Sequence, residues 1–349
     1  MAILVSPGDR YSSSQSERKA PLAGALRAMG LLPEGARFVA QRLAGGVSCD
    51  VWKVQMPGRD AIVVKRALAR LRVAVEWRAP PGRASAEVAW LQLARQIDPD
   101  CVPRVLGEDR RRHAFAMAYL DPTRYPLWKA ELAAGRADAR FAARTGEKLA
   151  RIHARTAGRD DIARAFAHDA QFRALRLEPY LLYTASRHPD VAPLIRALAD
   201  GIAGARIALM HGDVSPKNIL CGADGPIFLD AETACYGDPA FDLAFCLNHL
   251  LLKCVWHREH ARAYLDGFRA LKDAYFAQVD WEPAVGLQSR AARLLPALLL
   301  ARVDGRSPVE YLTDPRDQER VRHSAAGLLK SGDASLDGIA GAWGGMVTG

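Results

Sequence analysis

The spacing of apolar and polar side chains marks the first third of the chain as rich in strands. Trp52, Val54 and Met56 recur at every second position, which predicts a strand with one buried face. The other elements predicted in this part are a strand at 61–65, a helix at 83–96 and strands around 104–106 and 114–117.

The pattern becomes helical after Asp121 and Pro122. Phe141, Thr145 and Leu149 recur at the spacing of one helix face, and alanine- and leucine-rich segments continue to the end of the chain. Strands followed by a helical remainder predict an α+β fold. The first twenty residues, with their run of serines, predict a disordered tail over 1–20.

A helix start is predicted near the C-terminus. Ser307 and Glu310 have the spacing of a capping box, and Pro308 takes the first helical position. We therefore expect a structural helix to begin there, with a role of this segment in binding a substrate as the alternative.

Two short apolar runs, 219–221 and 227–229, are separated by a turn that contains Asp-Gly, which predicts a β-hairpin. Antiparallel pairing would place Asn218 and Asp230 opposite each other, just beyond the paired ends. An amide and a carboxylate oxygen so placed suit Mg²⁺, which usually takes one or two protein ligands together with phosphate oxygens and water. Asp213, on the preceding loop, is then placed to meet an acceptor hydroxyl.

The string His-Gly-Asp-Val-Ser-Pro-Lys-Asn, at 211–218, resembles the catalytic loop of the aminoglycoside phosphotransferase and choline kinase-like family, distant relatives of protein kinases. Asp230 with Glu232, and the Gly-Asp-Pro-Ala-Phe-Asp run over 237–242, match the same family. The resemblance covers roughly residues 38 to 320. It implies a bilobal protein kinase-like fold, with a small β-rich N-lobe that has one helix and a larger helical C-lobe. The chain departs from the family in having Ser-Pro-Lys where His-Pro-Gly is frequent.

The resemblance also implies how the chain is divided. The N-lobe with the nucleotide-binding sheet is predicted at 21–117, a hinge at 118–121, and the helical C-lobe with the catalytic and metal loops at 122–349. In this fold the adenine edge bonds to hinge backbone, which implies the Ala118 carbonyl and the Leu120 amide as its partners. An ordinary strand exit is the alternative interpretation of this segment.

Further residues are expected to bind ATP. Gly45 and Gly46 lie where the backbone would approach the phosphates, although paired glycines also occur in plain turns. Lys65 ends an apolar strand, and the resemblance implies that it holds the α- and β-phosphates and pairs with a helix glutamate. The alternative is a strand-end lysine that reaches solvent. Glu87 is the expected partner, its alternative role being a first-turn glutamate favoured by the helix dipole, and Glu76 is a less favoured substitute.

The catalytic loop supplies the remaining candidates. The resemblance implies that Asp213 accepts or orients the proton of the attacking hydroxyl and that Asn218 and Asp230 hold Mg²⁺. Glu232 would touch a second metal or the substrate if the strand continues to it. Lys217 either lends positive charge to the transferred phosphate or points to solvent.

Three more polar residues of this region have structural roles in the prediction. His211 is expected to brace the loop, and Asp242 to bond the loop backbone. Asp238, which precedes a proline, is expected to cap the following helix.

Composition narrows the class of protein. Half of the residues are hydrophobic and a quarter are charged, which favours a folded, soluble protein. The net charge of +9 comes mainly from scattered arginine without an interleaved aromatic motif, so we expect no nucleic acid partner. The six cysteines show no metal-finger spacing. The chain has no signal peptide and no apolar run of membrane-spanning length, so we expect a cytoplasmic protein with no membrane partner.

Together with these patterns, the resemblance implies an ATP- and Mg²⁺-dependent phosphotransferase that acts on a hydroxyl group of a small molecule. Aminoglycosides, methylthioribose, choline and homoserine are acceptors of relatives, and the sequence leaves the acceptor and the oligomeric state open. A catalytically silent nucleotide-binding regulatory module is the alternative from another class. Against it, Lys65, Asp213, Asn218 and Asp230 are all present.

Overall fold

The computed structural model describes residues 14–43, 48–70, 72, 80–332 and 335–348. The contacts within the chain divide it into two units. The first unit contains 1–85 and 105–119, and the second contains 86–104 and 120–349. The predicted Gly45, Gly46 and Glu76 lie outside the described residues.

The first unit is built on an antiparallel sheet of five strands in the order β1-β2-β3-β5-β4. Its elements are α1 (Ser14–Ala28), β1 (Val39–Arg42), β2 (Cys49–Gln55), β3 (Ile62–Ala67), β4 (Val105–Asp109) and β5 (Ala114–Ala118). The strands predicted from the sequence are therefore confirmed, and β1 is an addition to them. The exposed turn of Arg110–Arg112 connects β4 to β5.

Helix α1 was not predicted, and from Ser14 onward it occupies part of the segment expected to be a disordered tail. Leu22 and Leu26 lie one helical turn apart and pack against Trp52, Val54 and Val64 of the sheet. This contact gives the sheet a covered apolar face, which a sheet of half-buried strands requires.

Helix α2 (Arg83–Ile97) confirms the predicted helix, but the residues from Ala86 to Arg104 belong to the second unit. Trp90 makes an edge contact with Phe228, and the Phe228 amide donates to the Cys101 carbonyl over 2.7 Å. The N-lobe was predicted as one continuous stretch over 21–117, whereas the observed division assigns 86–104 to the second unit.

The second unit is mainly helical. Its helices are α3 (Trp128–Ala133), α4 (Ala139–Thr156), α5 (Asp160–Ala165), α6 (Asp169–Phe172), a π-type helical segment (Arg173–Leu182), α7 (Tyr183–Arg187), α8 (Ala192–Gly204), α9 (Ala240–Trp256), α10 (Ala261–Phe276), α11 (Ala284–Asp304), α12 (Pro315–Ser331) and α13 (Leu336–Thr348), with 3₁₀ turns at Pro216–Asn218 and Arg258–His260. This arrangement confirms the predicted α+β class. No helix of the described ranges is both long and apolar enough to cross a membrane.

Helix α9 forms the centre of this unit. Every residue from Ala240 to Val255 is buried, as expected for a helix that is apolar on most of its circumference. Phe241 and Phe245 stack with 5.4 Å between ring centroids. The same helix carries the buried polar residues Asp242 and Lys253, which both lie at the sites described below.

Two short antiparallel strand pairs hold the loops between the helices. Strand β6 (Ala208–Met210) pairs with β9 (Cys235–Gly237), and β7 (Ile219–Gly222) pairs with β8 (Gly225–Phe228). The second pair is the hairpin predicted from the sequence. The residues 211–218 connect β6 to β7 and carry the predicted catalytic side chains.

The predicted helix start at Ser307 is wrong. Residues 307–310 are irregular, and α12 begins at Pro315 after Asp314, whose side chain accepts from the Arg316 amide. Arg302 instead donates to the carbonyl of Ser307, which holds this segment against α11.

Candidate active site

The loop from His211 to Asn218 requires glycine at its second position. Gly212 has φ +78, and a Cβ atom built there would lie 2.6 Å from the Thr233 carbonyl oxygen. Both the left-handed backbone and the contact exclude other residues. Pro216 then begins a 3₁₀ turn that ends at Asn218, so the loop runs directly into strand β7.

The buried carboxylate of Asp242 holds the backbone of this loop. It accepts the amide of His211 over 2.7 Å and the amide of Gly212 over 2.8 Å, one on each oxygen. His153 lies 3.3 Å from the same carboxylate. The predicted role of Asp242 is confirmed, and Asp238 likewise accepts the Ala240 amide at the start of α9 over 3.0 Å.

His211 braces the loop from inside, as predicted. Its Nε2 lies 3.0 Å from the Leu229 carbonyl, and its Nδ1 lies 3.2 Å from the Asp213 amide, which donates to it. Burial lowers the pKa of His211 and outweighs the nearby carboxylates. A neutral ring that carries its proton on Nε2 satisfies both bonds. The edge of Trp90 packs on the ring with 4.7 Å between centroids.

Asp213 is buried and its two oxygens differ. Oδ2 lies 2.9 Å from Arg176 Nη2 and 3.1 Å from Lys217 Nζ, whereas Oδ1 is buried without a hydrogen-bond partner among the described residues. Burial alone raises the pKa of this carboxyl, but the charges of Arg176 and Lys217 outweigh burial and hold the pKa below its ordinary value. Asp213 is therefore ionised, with one oxygen held by two cations and the other without a hydrogen-bond partner among the described residues.

Arg176 is a site residue that the sequence analysis missed. It lies in the π-type segment Arg173–Leu182, and its Nε donates to the Gly212 carbonyl over 2.6 Å. Its guanidinium also lies near the Tyr180 ring, 5.6 Å from the centroid. The one available signal was an arginine between two leucines in an apolar stretch, and that signal does not specify the partner.

Lys217 contacts the loop that carries it. Its side chain is about half exposed, and its ammonium pairs with Asp213. Burial opposes the charge, but Asp213 outweighs it and raises the pKa of Lys217 above its ordinary value. Both predicted alternatives for Lys217, a charge on the transferred phosphate and a side chain that points to solvent, remain predictions.

Asn218 and Asp230 flank the hairpin, but not in the predicted register. Ile219 pairs with Phe228, and the Leu229 amide donates to the Asn218 carbonyl over 2.8 Å. Asn218 therefore stands opposite Leu229, and Asp230 lies one residue further along. The Asn218 side-chain amide donates to the Asp213 carbonyl over 3.0 Å, which leaves its oxygen end as the potential ligand.

Asp230 has φ +66, one of only two positive values at non-glycine positions in the described ranges. Such a conformation costs free energy and persists where the surroundings enforce it, often at functional sites. The strand ends at Phe228, so it does not continue to Glu232, which was the condition for the predicted contact with a second metal or the substrate. Glu232 lies in a turn, where its carbonyl accepts from Gln171.

The donor set of Asn218 and Asp230 fits a hard cation. Amide and carboxylate oxygens are the ligands that Mg²⁺ takes, usually one or two from the protein beside phosphate oxygens and water. No group of three or more His, Cys, Asp or Glu side chains in the described part of the chain is arranged to hold a metal ion.

The predicted nucleotide-binding residues are divided between the units. Lys65 is buried on β3, in register with Val51 and Phe115, and Ala118 ends β5. Glu87 is buried on α2 and belongs to the second unit, as does Leu120. Their predicted roles remain predictions.

Comparisons with known proteins agree with this geometry. The model of the phosphotransferase enzyme family matches residues 39–275. The methylthioribose kinase of Pectobacterium atrosepticum is 26% identical over 240 residues, which cover 61% of this chain and 60% of that protein. The chain thus spans less than two thirds of the length of this relative.

Two solved structures share the fold. An amicoumacin kinase in complex with AMP-PNP and Ca²⁺ has a TM-score of 0.56 at 12% identity, covering 93% of this chain and 95% of its own. A spectinomycin phosphotransferase in complex with ADP and spectinomycin has a TM-score of 0.51 at 13% identity, covering 93% and 98%. These likenesses confirm the predicted protein kinase-like fold.

Proposed function

Because this chain belongs to the phosphotransferase enzyme family, we propose that it transfers a phosphoryl group from ATP, with Mg²⁺, to a hydroxyl group of a small molecule. The observation that carries this proposal is the state of Asp213. Two cations fix one of its oxygens, while the other is buried without a partner among the described residues. A buried acceptor atom without a partner is costly, and a substrate hydroxyl supplies the missing donor.

In the proposed mechanism Asp213 Oδ1 accepts the hydrogen bond of the acceptor hydroxyl and thereby orients its oxygen for attack. Arg176 and Lys217 keep the carboxylate ionised, and Asp242 keeps the loop backbone fixed. Bound Mg-ATP supplies the transferable phosphoryl group and neutralises its charge. Asn218 and Asp230 are the residues proposed to hold the cation.

The nucleotide site is proposed on the resemblance to the family. Lys65 would hold the phosphates, with Glu87 as its partner, and Gly45 and Gly46 would approach them with their backbone. The Ala118 carbonyl and the Leu120 amide would bind the adenine edge. The strand position and burial of Lys65 support this assignment, because a buried lysine requires anionic partners.

The acceptor belongs to the proposal as well. Methylthioribose is a candidate because a methylthioribose kinase is among the relatives. Choline and homoserine are candidates that the resemblance of the sequence implies. A catalytically silent regulatory module is disfavoured because Lys65, Asp213, Asn218 and Asp230 are intact. We further propose a cytoplasmic location and no nucleic acid partner, as the sequence led us to expect.

Nucleotide binding and acceptor phosphorylation are tested separately. Mg-ATP should raise the melting temperature of the protein by mass action, and a screen of acceptor alcohols should then reveal ADP release. An unchanged melting temperature at millimolar Mg-ATP would contradict nucleotide binding. A clear shift with no ADP release for any alcohol class would favour the silent module instead.

A further inference from the structure

A small cavity of about 30 Å³ adjoins the catalytic loop in the second unit. Lys217 lines it and also contacts Asp213 over 3.1 Å, so the cavity is one side chain away from the proposed reacting hydroxyl. The other lining residues used below are Lys129, His249, Lys253, Arg302, Glu310 and Tyr311. None of them takes part in the mechanism described so far.

Lys253 is the unusual member of this lining. Only 1% of the residue is exposed, and its Nζ has no hydrogen-bond partner among the described residues. The ammonium faces the rings of Tyr311 at 4.3 Å and Trp256 at 4.8 Å from their centroids. Ring contacts offset part of the cost of burial, but an ammonium without an anionic partner remains expensive.

The remaining charges of the lining do not supply that anion. Glu310 is the acidic residue of the lining, and it forms an ion pair with Lys129. Arg302 donates to the Tyr180 hydroxyl over 3.2 Å, while its Nε is buried without a partner in the described ranges. The cavity is therefore lined by an excess of positive charge.

His249 adds a polar atom rather than a charge. Burial is the main cause that lowers the pKa of His249 well below its ordinary value, and the charges of Arg302 and Lys253 act in the same direction. The ring is therefore neutral. Its Nε2 is buried and lacks a partner in the part of the chain that the structure describes. Four residues that line this small space, Lys253, Arg302, His249 and Tyr311, thus each have a buried polar atom without a partner among the described residues.

The size of the space limits the group that fills it. One water molecule needs roughly 10–15 Å³ measured in this way, so the cavity holds about two oxygen-sized atoms. Two oxygens and a negative charge are the properties of a carboxylate. A cationic group such as the trimethylammonium of choline would meet like charge here and would be rejected.

We propose that the phosphate acceptor is a hydroxy acid, whose hydroxyl meets Asp213 and whose carboxylate enters the cavity beside Lys253. This inference rests on the proposed phosphotransferase function. Of the acceptors named above, homoserine carries such a carboxylate, whereas methylthioribose and choline do not.

The test compares acceptors that carry a carboxylate with acceptors that do not. The full-length protein with Mg-ATP is assayed for ADP release with glycerate and gluconate, with the neutral analogues glycerol and glucitol, and with choline. We expect kcat/KM to be at least tenfold higher for the acids. Turnover of a neutral or cationic alcohol with equal or higher kcat/KM would overturn the inference and leave the phosphotransferase function intact.

Direct binding keeps the proposal testable even if these two acids are poor acceptors. Sodium gluconate should raise the melting temperature of the wild-type protein, whereas in Lys253→Met this shift should fall by more than half. Lys330→Met is the matched control, because Lys330 is exposed and pairs with Asp190 on the surface. Equal shifts in all three proteins, or no shift in the wild type, would contradict carboxylate binding at Lys253.

Kinetics of the same variants separate the two proposals. Where a hydroxy acid is turned over, Lys253→Met should raise its KM roughly 10- to 100-fold, as expected for loss of a charged hydrogen bond. The KM for ATP serves as the internal reference and should stay the same in Lys253→Met. A protein that neither binds Mg-ATP nor releases ADP would contradict the proposed function itself.

Discussion

Arg176 and Asp213 form a buried ion pair, with 2.9 Å between Nη2 and Oδ2. The same guanidinium holds the Gly212 carbonyl through Nε, so one side chain fixes both the backbone and the carboxylate of the catalytic loop. The arginine lies in a helical segment outside the loop, 36 positions before Gly212. The geometry of the loop therefore depends on the packing of this segment against it.

Replacing Asp213 should separate chemistry from nucleotide binding. Asp213→Asn keeps the shape of the side chain but removes the carboxylate that orients the hydroxyl, so we expect phosphoryl transfer to fall about 10²- to 10⁴-fold. The Mg-ATP-induced rise in melting temperature should persist. The measurement is ADP release beside a thermal-shift titration, and a variant with wild-type activity would contradict the assignment.

Replacing Arg176 should cost stability and change the titration of Asp213. Arg176→Met leaves a buried carboxylate with Lys217 as its remaining cation, so we expect a loss of about 3 to 5 kcal/mol in the free energy of unfolding. The pKa of Asp213 should rise, since burial raises it and one of the opposing charges is gone. In the pH profile of kcat, the limb on the acidic side should then move to higher pH.

Urea denaturation measures the stability change, and an exposed ion pair provides the control. Arg206 pairs with Asp169 at the surface over 2.9 Å. Arg206→Met should change the free energy of unfolding by less than about 1 kcal/mol. Equal losses of unfolding free energy in the two variants would show that the buried ion pair of Arg176 stabilises the protein no more than an exposed one.

The contacts of Asp242 predict that Asp242→Asn lowers the stability of the protein although the side chain keeps its shape. Asp242→Asn retains one acceptor oxygen, and its new amide faces a backbone N–H, so one charge-assisted bond is lost at about 1.5 to 3 kcal/mol. Asp280→Asn, at an exposed position, should stay within about 0.5 kcal/mol of the wild type. Chemical denaturation of both variants checks this difference.

The backbone of Asp230 can be tested apart from its carboxylate. Asp230→Ala and Asp230→Gly both remove the proposed metal ligand, and both should lose Mg²⁺-dependent activity. They differ because alanine is strained at φ +66 and glycine is not, so the glycine variant should be more stable by about 1 kcal/mol. Equal stability of the two variants would contradict an enforced left-handed conformation.

Lys253 should make the stability of the unliganded protein depend on pH in the alkaline range. Burial, assisted by Lys129 and opposed by Glu310, lowers its pKa from 10.5 to about 8. Between these values the unfolded chain binds a proton that the folded chain has released, so the free energy of unfolding rises with pH. At about 1.4 kcal/mol per pKa unit the total rise is roughly 3 kcal/mol.

The methionine variant supplies the reference for this titration. Lys253→Met lacks the buried charge and should be more stable than the wild type at pH 7 by up to about 3 kcal/mol. The gap should narrow between pH 8 and 10.5, the range set by the two pKa values. A constant gap across this range in urea denaturation would show that the ammonium is compensated in the folded protein.

The hairpin shows what local pattern can and cannot predict. Both strands and their turn were predictable because the apolar runs and the Asp-Gly pair are neighbours in sequence. Their register was not, because β8 is buried at every position and has no alternation to fix it. The predicted pairing of Asn218 with Asp230 was therefore wrong by one residue.

The long-range partners of the site were beyond the reach of sequence patterns. Arg176 meets Gly212 across 36 positions, and Lys253 faces Tyr311 from another part of the chain. No spacing rule relates such pairs. The resemblance supplied Asp213, Asn218 and Asp230, but not Arg176, one of the two cations that hold Asp213.

Two local errors have physical explanations. Helix α1 was obscured by its serine-rich start and by Pro21, although Leu22 and Leu26 do have helical spacing. The capping-box pattern at Ser307 is not followed by a helix. The prediction failed because four residues of suitable type also occur in irregular segments. The real start has Asp314 as its cap.

The two cations on Asp213 also set the timing of proton transfer in the proposed reaction. An aspartate stabilised as its anion is a weak base, with little driving force for removing a proton from an alcohol. Such a base takes the proton only after bonding to phosphorus has made the alcohol oxygen acidic. In the loose transition state that is usual for phosphoryl transfer, the O–H bond is then still largely intact, and activation of the nucleophile contributes less to the rate than its alignment.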